Sequence, residues 1–599
     1  MTSALADGTL LAMLQTSAEA FSHRPALLQK VAGDWLPTSY AQLWEDARGL
    51  ARGLATLGIQ PGDRVAMVSE NSPEWVVCDF GILCAGAINV AMFPSLPPVQ
   101  MEQILADSGA WLLIVGSDAL LQKALVVRQT MPDLQIITMQ PVSPSSEAGV
   151  LSIEQVMRQA HGYPEAELQA RRAAVTADDL ASIVYTSGTS GEQKGVMLSH
   201  GNFMANVYQC QQVLHFSPED VLLSVLPLNH VFERTTACYL PLACGAQVAY
   251  AESLRRLREN LIEMQPTILI LVPRFFEVLR QAVLDRMQKA PERRQKLFQW
   301  ALRAGDRSLG HRLGHRLMPP QLWLPWRVAE WLVLAKTREA LGLGRIKHMV
   351  SGAAALGLVE NEFFQAMGVE VLEGYGLTEA APVVACNRPG QVKLACVGPP
   401  LPGVEVKLGD QDEILVRGGN VMRGYWERPG ATAAALDDAG WLHTGDIGKF
   451  DENGYLSITD RLKDLLVLTS GKNVAPQPIE NALRTSAYIS QAVVLGDRQQ
   501  YVMALIVPAF DRLKHWTATQ ETNLPSSHEE MSRDGAVQRL IKGEIERLTP
   551  HLADFERVRD FRLLAEEFTV EGGELTPTLK VKRRVVLQKF AEMIGEMYR

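Results

Sequence analysis

No stretch of the 599-residue chain approaches the roughly 20 consecutive apolar residues that span a bilayer. The strongest apolar run, "TILILVP", is short and lies between Pro266 and Pro273, so it reads as a buried strand. The opening "MTSALADGTLLAMLQTSAEAF" has neither a basic segment nor an unbroken apolar run, and does not read as a secretory signal. Cysteine is scarce. The seven are scattered and never in CxxC spacing, which points to a reduced, cytoplasmic protein without a zinc cage. Positive charge is not in excess: 58 Lys and Arg face 67 Asp and Glu, a net charge of −9. That gives no support to nucleic-acid binding by the molecule as a whole. The nucleophile pattern GxSxG and the dinucleotide pattern GxGxxG are absent, as are internal repeats and low-complexity segments.

What is present is the composition of a soluble globular protein, 47% hydrophobic and 21% charged. The length exceeds one ordinary core, so at least two domains are expected. Residues 38–57 carry apolar side chains at helical spacing and run into Gly58. Then "GDRVAMVSE" predicts a strand, a helix starts near Glu74, and "AINVAMF", "WLLIVGS" and "LQIITMQ" continue the alternation. This rhythm predicts an α/β fold in which parallel sheets are covered by helices. From Gln281 to Lys336 the chain turns helical, basic and tryptophan-bearing. Two readings stay open there: a helical insertion whose tryptophans pack on the body, or a surface that touches membrane or guides an amphiphilic substrate. After Asp446 short strands and turns lead into a helix at "PIENALRTS", two strands at "QAVVLGD" and "YVMALIVP", and helices to the end. This predicts a small α+β C-terminal domain with a junction near Asp460.

The segment with most chemistry is "YTSGTSGEQKGV", Tyr185–Val196. It follows an apolar strand and precedes the helical "SHGNFMANVYQCQQVLH", so it reads as a glycine-rich turn between strand and helix. Backbone N–H groups in such a turn cradle phosphate oxygens. Thr186, Ser187, Thr189 and Ser190 add hydroxyl donors, and Lys194 adds positive charge. The Walker pattern is absent because Lys194 precedes Gly195 instead of following a glycine. The residues alone read as a triphosphate-binding loop, with a plain surface loop as the alternative.

This segment resembles the signature of the acyl-adenylate-forming superfamily, which holds acyl-CoA synthetases, adenylation domains and luciferase. It departs at Ser190, where threonine is usual, and at Gln193, where proline is usual. Further motifs follow in the family's order: "LPLNHVFER", "VSGAAAL", "EGYGLTE", "WLHTGDIG", "DRLKDL", "SGKNVAPQPIE" and "ELTPTLKVKRR". Several resemble bacterial long-chain fatty acyl-CoA synthetases in particular.

The resemblance implies a large N-terminal adenylation domain, 1–459, of parallel sheets plus a β subdomain. It further implies a hinge at 460–465 and a small mobile α+β lid at 466–599. It implies ATP, Mg²⁺ and coenzyme A. Thr186, Ser187, Gly188, Thr189, Ser190, Gly191 and Lys194 would hold phosphates. Gly352, Ala353, Ala354, Gly374, Tyr375 and Gly376 would flank adenine. Thr378 would meet the α-phosphate, and Glu379 with Thr186 the metal. Asp446 and Arg461 would meet the ribose, with Lys463 as pivot and Gly471 near the CoA arm. His230 would sit near the acyl carboxylate, and Lys580 would be catalytic. The implied reaction joins a fatty acid to CoA through acyl-AMP. Loading of a carrier protein's phosphopantetheine, or a non-fatty hydrophobic acid as substrate, is the alternative. A cytoplasmic enzyme, peripheral contact at the inner face of the membrane and a homodimer are the remaining expectations.

Overall fold

The computed structural model describes residues 8–140, 149–187, 193–314, 317–462, 465–520, 525, 527–550, 552–569, 572–575 and 581–598. The chain divides into two compact units. The first holds residues up to Leu356 with 360–406 and 415–443; the second holds Thr444–Arg599 with 357–359 and 407–414.

Two eight-stranded sheets organise the first unit. One runs, edge to edge, Gly424–Tyr425, Gln193–Ser199, Leu180–Ser187, Ile88–Met92, Arg64–Val68, Leu112–Val115, Gln135–Thr138 and Val150–Ser152. From Leu180–Ser187 onward its pairings are parallel, and at the other end they are antiparallel. The second sheet runs Val383–Cys386, Glu370–Gly376, His348–Ser351, Ile268–Leu271, Val221–Ser224, Gln247–Tyr250, Pro25–Val31 and Asp34–Ser39. Only its two edge pairings are antiparallel. The expected α/β architecture is therefore present. Central strands such as Val221–Ser224 and Ile268–Leu271 are buried at every position, which is why they read as apolar runs. Residues 38–57 form the helix Tyr40–Thr56, capped by the Ser39 hydroxyl accepting from the Gln42 N–H.

The glycine-rich segment departs from expectation. It joins two antiparallel strands, Leu180–Ser187 and Gln193–Ser199, and the helix His200–Leu214 starts only after the second. The helix start is closed by its own capping box, Ser199 with Asn202, so its N–H groups serve the chain itself.

The second unit is built on a three-stranded sheet: Ile489–Leu495 antiparallel to Val502–Pro508, which is parallel to Val558–Leu563. The third strand corrects the expectation of helices alone after Pro508. "VRDFRL" is half-exposed and charged, and its pairing partner rather than its composition makes it a strand. The core beneath it gathers Leu483, Val493, Leu505, Val537 and Val586.

Among the described residues no helix is long and apolar enough to cross a membrane. All seven cysteines are free, and six are buried.

One buried ion pair ties the first unit together. Arg234 and Asp79 are both inaccessible to solvent. Arg234 Nε donates to Asp79 Oδ2 at 3.1 Å and Nη1 to Ser182 Oγ at 2.9 Å, while the Tyr239 hydroxyl donates to Asp79 at 2.6 Å. Trp75, Phe203 and Tyr239 pack their rings against the guanidinium. Removing one partner strands the other charge in an apolar interior. Arg234→Met is expected to destabilise the first unit by about 3–5 kcal/mol, read as a lower urea midpoint. A midpoint equal to that of the parent would contradict this account.

Candidate active site

The pairing of Leu180–Ser187 with Gln193–Ser199 sets Thr186 opposite Lys194 and Ser187 opposite Gln193. Gly188, Thr189, Ser190 and Gly191 lie outside the described residues. Lys194 Nζ stands 5.1 Å above the Tyr425 ring, and the Tyr425 hydroxyl donates to Glu379 Oε1 at 2.9 Å. Burial and the Glu379 carboxylate both push the Tyr425 phenol far up, so it stays a donor. Tyr425 belongs to a short strand that pairs with Gln193–Ser199, with Tyr425 opposite Val196. Just before it, the Met422 N–H donates to the Glu379 carbonyl. One segment thus ties the strand of Lys194 to the turn of Glu379.

That turn, Thr378–Ala380, follows the strand Glu370–Gly376. Gly376 has no room for a side chain: a Cβ there would meet the Pro382 carbonyl oxygen at 2.1 Å. Gly374 and Tyr375 pair with Cys386 and Ala385. Alongside, Ser351 pairs with Glu373, so Gly352, Ala353 and Ala354 turn out of one parallel strand beside Gly374 and Tyr375 on its neighbour. Ligands of α/β sheets bind at this carboxyl end of the strands. Ala353 has φ 67°, the left-handed conformation that swings the chain away from the sheet. A Cβ on Gly352 would lie 2.5 Å from the Phe232 ring.

His230 caps the short helix Val231–Glu233: its Nδ1 accepts from the Phe232 N–H at 3.1 Å, which leaves the ring proton on Nε2. Its ring lies 6.4 Å from that of Phe93. Phe232 covers Gly352, and Thr235 Oγ1 donates to the Ala381 carbonyl, so this segment packs on both the Gly352 turn and the residue after Ala380. Thr186, Lys194, His230, Gly352–Ala354, Gly374–Gly376, Thr378 and Glu379 are held by contiguous contacts within one unit.

In the second unit Asp446 pairs with Arg461 across a hairpin, and Arg461 Nε donates to Asp446 Oδ1 at 2.6 Å. Gly471, φ 75°, makes the tight turn between Leu466–Val467 and Asn473–Val474, with nothing within 4 Å of its absent Cβ. Lys463 and Lys580 lie outside the described residues. On the C-terminal side of Lys580, the Lys582 N–H donates to the Glu574 carbonyl at 2.7 Å, and Arg583 pairs with Glu480 at 2.6 Å.

Four contributors escape sequence reasoning. Tyr425 and Phe232 carry no motif that names a role for them. Glu233 and Glu373 are buried carboxyls. Burial lifts Glu233 to about 8, against hydrogen bonds from the Ser224 hydroxyl at 2.7 Å and the Val225 N–H at 3.2 Å. Burial lifts Glu373 to about 7, against one from the Leu356 N–H at 2.9 Å. Glu233 and Arg234 are neighbours in sequence but go to different partners, Ser224 and Asp79.

The donor set suits a nucleotide and a hard cation. Mg²⁺ takes one or two carboxylates plus hydroxyl, water and phosphate oxygens, and Glu379 and Thr186 are of that kind. Gly352, Ala353 and Ala354, with Gly374 and Gly376 on either side of Tyr375, keep side-chain bulk low along this edge, as a flat base would need.

The chain matches the model of the AMP-binding enzyme over residues 14–426 and that of the AMP-binding enzyme C-terminal domain over 463–599. It belongs to the AMP-binding enzyme family. It is 33% identical to a long-chain-fatty-acid–CoA ligase, FadD15, of Mycobacterium bovis, across 95% of this chain and 93% of the relative. It is 31% identical to the mouse long-chain-fatty-acid–CoA ligase ACSBG2, across 98% and 93%. Among solved structures it shares the fold of the adenylation domain of a carboxylate reductase from Mycobacterium chelonae, with a TM-score of 0.76 and 23% identity over 98% of this chain and 91% of that one. An anthranilate CoA ligase in complex with anthranoyl-AMP gives a TM-score of 0.74 and 22% identity, over 99% and 98%.

The Glu233 carboxyl has a folded-state value near 8, above its ordinary 4.5. Folding therefore takes up a proton between these values. The resulting stability is complete below about pH 4.5 and is lost as pH rises through about 8. Glu373 adds to the same slope. Glu233→Gln removes the Glu233 share, so its melting midpoint should fall less than the parent's between pH 6 and pH 9, by up to a few kcal/mol of stability. Parallel curves for the two proteins would reject the assignment.

Proposed function

We propose that this chain is an AMP-forming long-chain fatty acid–CoA ligase. The reading is carried by the meeting of Lys194 and Glu379 across Tyr425, in a chain similar over nearly its whole length to ligases of that name. A free carboxylate is a poor acyl donor, because its leaving group would be oxide. In the first half-reaction it attacks the α-phosphorus of ATP, pyrophosphate departs, and acyl-AMP forms. In the second, the CoA thiol attacks the acyl carbonyl, AMP departs, and the thioester forms.

The first step sets an anion against an anion, so catalysis is largely charge neutralisation and positioning. We assign Thr186, Ser187, Gly188, Thr189, Ser190, Gly191 and Lys194 to the phosphates and Thr378 to the α-phosphate. Gly352, Ala353, Ala354, Gly374, Tyr375 and Gly376 flank adenine in this reading, and Asp446 with Arg461 takes the ribose. Glu379 and Thr186 would hold Mg²⁺, which when bound offsets phosphate charge. His230, with its proton on Nε2, offers a donor toward the acyl carboxylate. Lys580 is the catalytic cation of the adenylating step. Residues 1–459 then form the adenylating domain and 466–599 a lid that turns about Lys463 within 460–465, bringing the Gly471 turn into play for CoA. The lipophilic substrate and the need for ATP and CoA fit a cytoplasmic enzyme with peripheral contact at the inner face of the membrane. A homodimer is compatible with this reading.

A series of carboxylic acids of increasing length, scored by AMP release with and without CoA, tests the function. Release is expected to rise with chain length, by about 0.8 kcal/mol per buried methylene, and to require CoA for turnover. A preference for holo-carrier protein over CoA would replace the acceptor, and a flat response to length would remove the fatty substrate. For Lys580→Ala the expectation is loss of acyl-AMP formation by at least about 100-fold, with thioester formation from supplied acyl-AMP largely kept. Equal loss in both halves would refute its role.

A further inference from the structure

Residues 292–340 hold ten Lys and Arg against four Asp and Glu, in a chain whose net charge is −9. The segment forms two mutually packed helices, Glu292–Leu313 and Pro320–Ala329, the second continued by Glu330–Leu334 and Ala335–Ala340. Their inner faces are firmly seated. Phe298, Ala301, Ala329 and Leu334 enter the core of the second sheet. A Cβ on Gly305 would meet the Ala366 carbonyl oxygen at 2.2 Å, and Arg312 donates to the Gln365 carbonyl at 3.0 Å. The Arg312 guanidinium lies 5.3 Å from the centre of the Trp326 ring. Exposure on the outer face therefore does not come from a loosely packed element.

That outer face is unusual. Trp331 is 73% exposed, Leu324 58%, Trp323 48% and Trp300 38%. Pro320, Leu324, Arg327 and Trp331 follow one another at steps of four, three and four, which is one side of a helix. Trp300, Arg303 and Arg307 do the same on the longer helix, and all three are exposed. Aromatic and leucine side chains interleaved with arginines on one helix side are the pattern of an interfacial helix. Of the two readings the sequence leaves open, the packed insertion holds for Trp326 and fails for Trp323 and Trp331.

The geometry points to a docking surface for an anionic lipid bilayer, formed by the outer faces of Glu292–Leu313 and Pro320–Ala340. Arg303, Arg307 and Arg327 draw the protein to the charged headgroups, and Trp323, Leu324 and Trp331 enter the headgroup boundary. Charge selects this occupant over a second copy of the chain, because two such faces would set like charges against each other. The purpose rests on the proposed activity: a long-chain acid partitions into bilayers, so an enzyme seated on one meets its substrate there.

The test is co-sedimentation of the full chain with vesicles of phosphatidylcholine containing about one-quarter phosphatidylglycerol, and with phosphatidylcholine alone, at low and high salt. Binding is expected to the anionic vesicles and to fall as salt screens it. Trp323→Ser with Trp331→Ser should weaken it at least about tenfold. Arg303→Glu with Arg307→Glu and Arg327→Glu should abolish the preference for anionic lipid, since each charge near such a surface counts for about fivefold. These positions are exposed, so circular dichroism and vesicle-free AMP release on a short, soluble acid should be unchanged. Equal binding of parent and variants, or no anionic preference in the parent, overturns the proposal. So does a parent dimer in sedimentation equilibrium that the tryptophan pair abolishes, because a second copy would then cover the face. Vesicle binding in a parent that releases no AMP with any acid would overturn the ligase reading and leave the docking surface standing.

Discussion

A guanidinium enclosed by protein must find an acceptor for its N–H groups or stay in water. Arg234 finds them on three parts of the chain: Asp79 on a helix after the first sheet's strand Arg64–Val68, Ser182 on the strand that leads to Thr186, and Tyr239 five residues on. The Ser182 hydroxyl in turn donates to the Asn89 carbonyl on the next strand, and Asn89 donates to Asp79. This closed network fixes where the His230 segment lies relative to the strand of Thr186. From there Phe232 reaches Gly352 and Thr235 reaches Ala381. The candidate site of the first unit is thus positioned by a structure that touches none of its expected ligands.

A second constraint is lack of space. Gly352 and Gly376 are pressed against a ring and a carbonyl, at the ends of neighbouring parts of one sheet. A side chain at either would push apart the segments packed against it. On the other side of the site the constraint is electrostatic. Lys194, the Tyr425 ring and the Glu379 carboxylate form a row in which cation, π-face, phenol and anion each orient the next. This row sets a positive and a negative group at fixed separation, which suits a ligand that brings both phosphate and a metal ion.

Much of this was legible in the chain of letters, for physical reasons. The strands Arg64–Val68, Ile88–Met92 and Leu112–Val115 are buried on both faces, so apart from Arg64 and Asn89 their sequences are apolar. Tyr40–Thr56 is amphipathic, so its period shows. The glycine-rich segment reads as a strand-to-helix turn because Gln193–Ser199 is short and half-polar; only its partner, Leu180–Ser187, identifies it as a strand. The same holds for Val558–Leu563. Tyr425 could not be found by spacing, since it lies 46 residues from the carboxylate it serves. Glu233 has no spacing signal of its own, because its burial and its Ser224 partner come from the fold.

The placement of sulfur has a practical side. Cys78, Cys84, Cys210, Cys238 and Cys386 are buried with thiols pushed well above their ordinary value by loss of hydration, and the half-buried Cys244 is raised to about 12. Alkylation needs a reachable thiolate, and these offer almost none at neutral pH. A new thiol placed on an open surface would therefore be the fastest to react with a maleimide, without first stripping out the native ones. Dyes or spin labels on each of the two units would then report distances in solution from an otherwise unaltered chain.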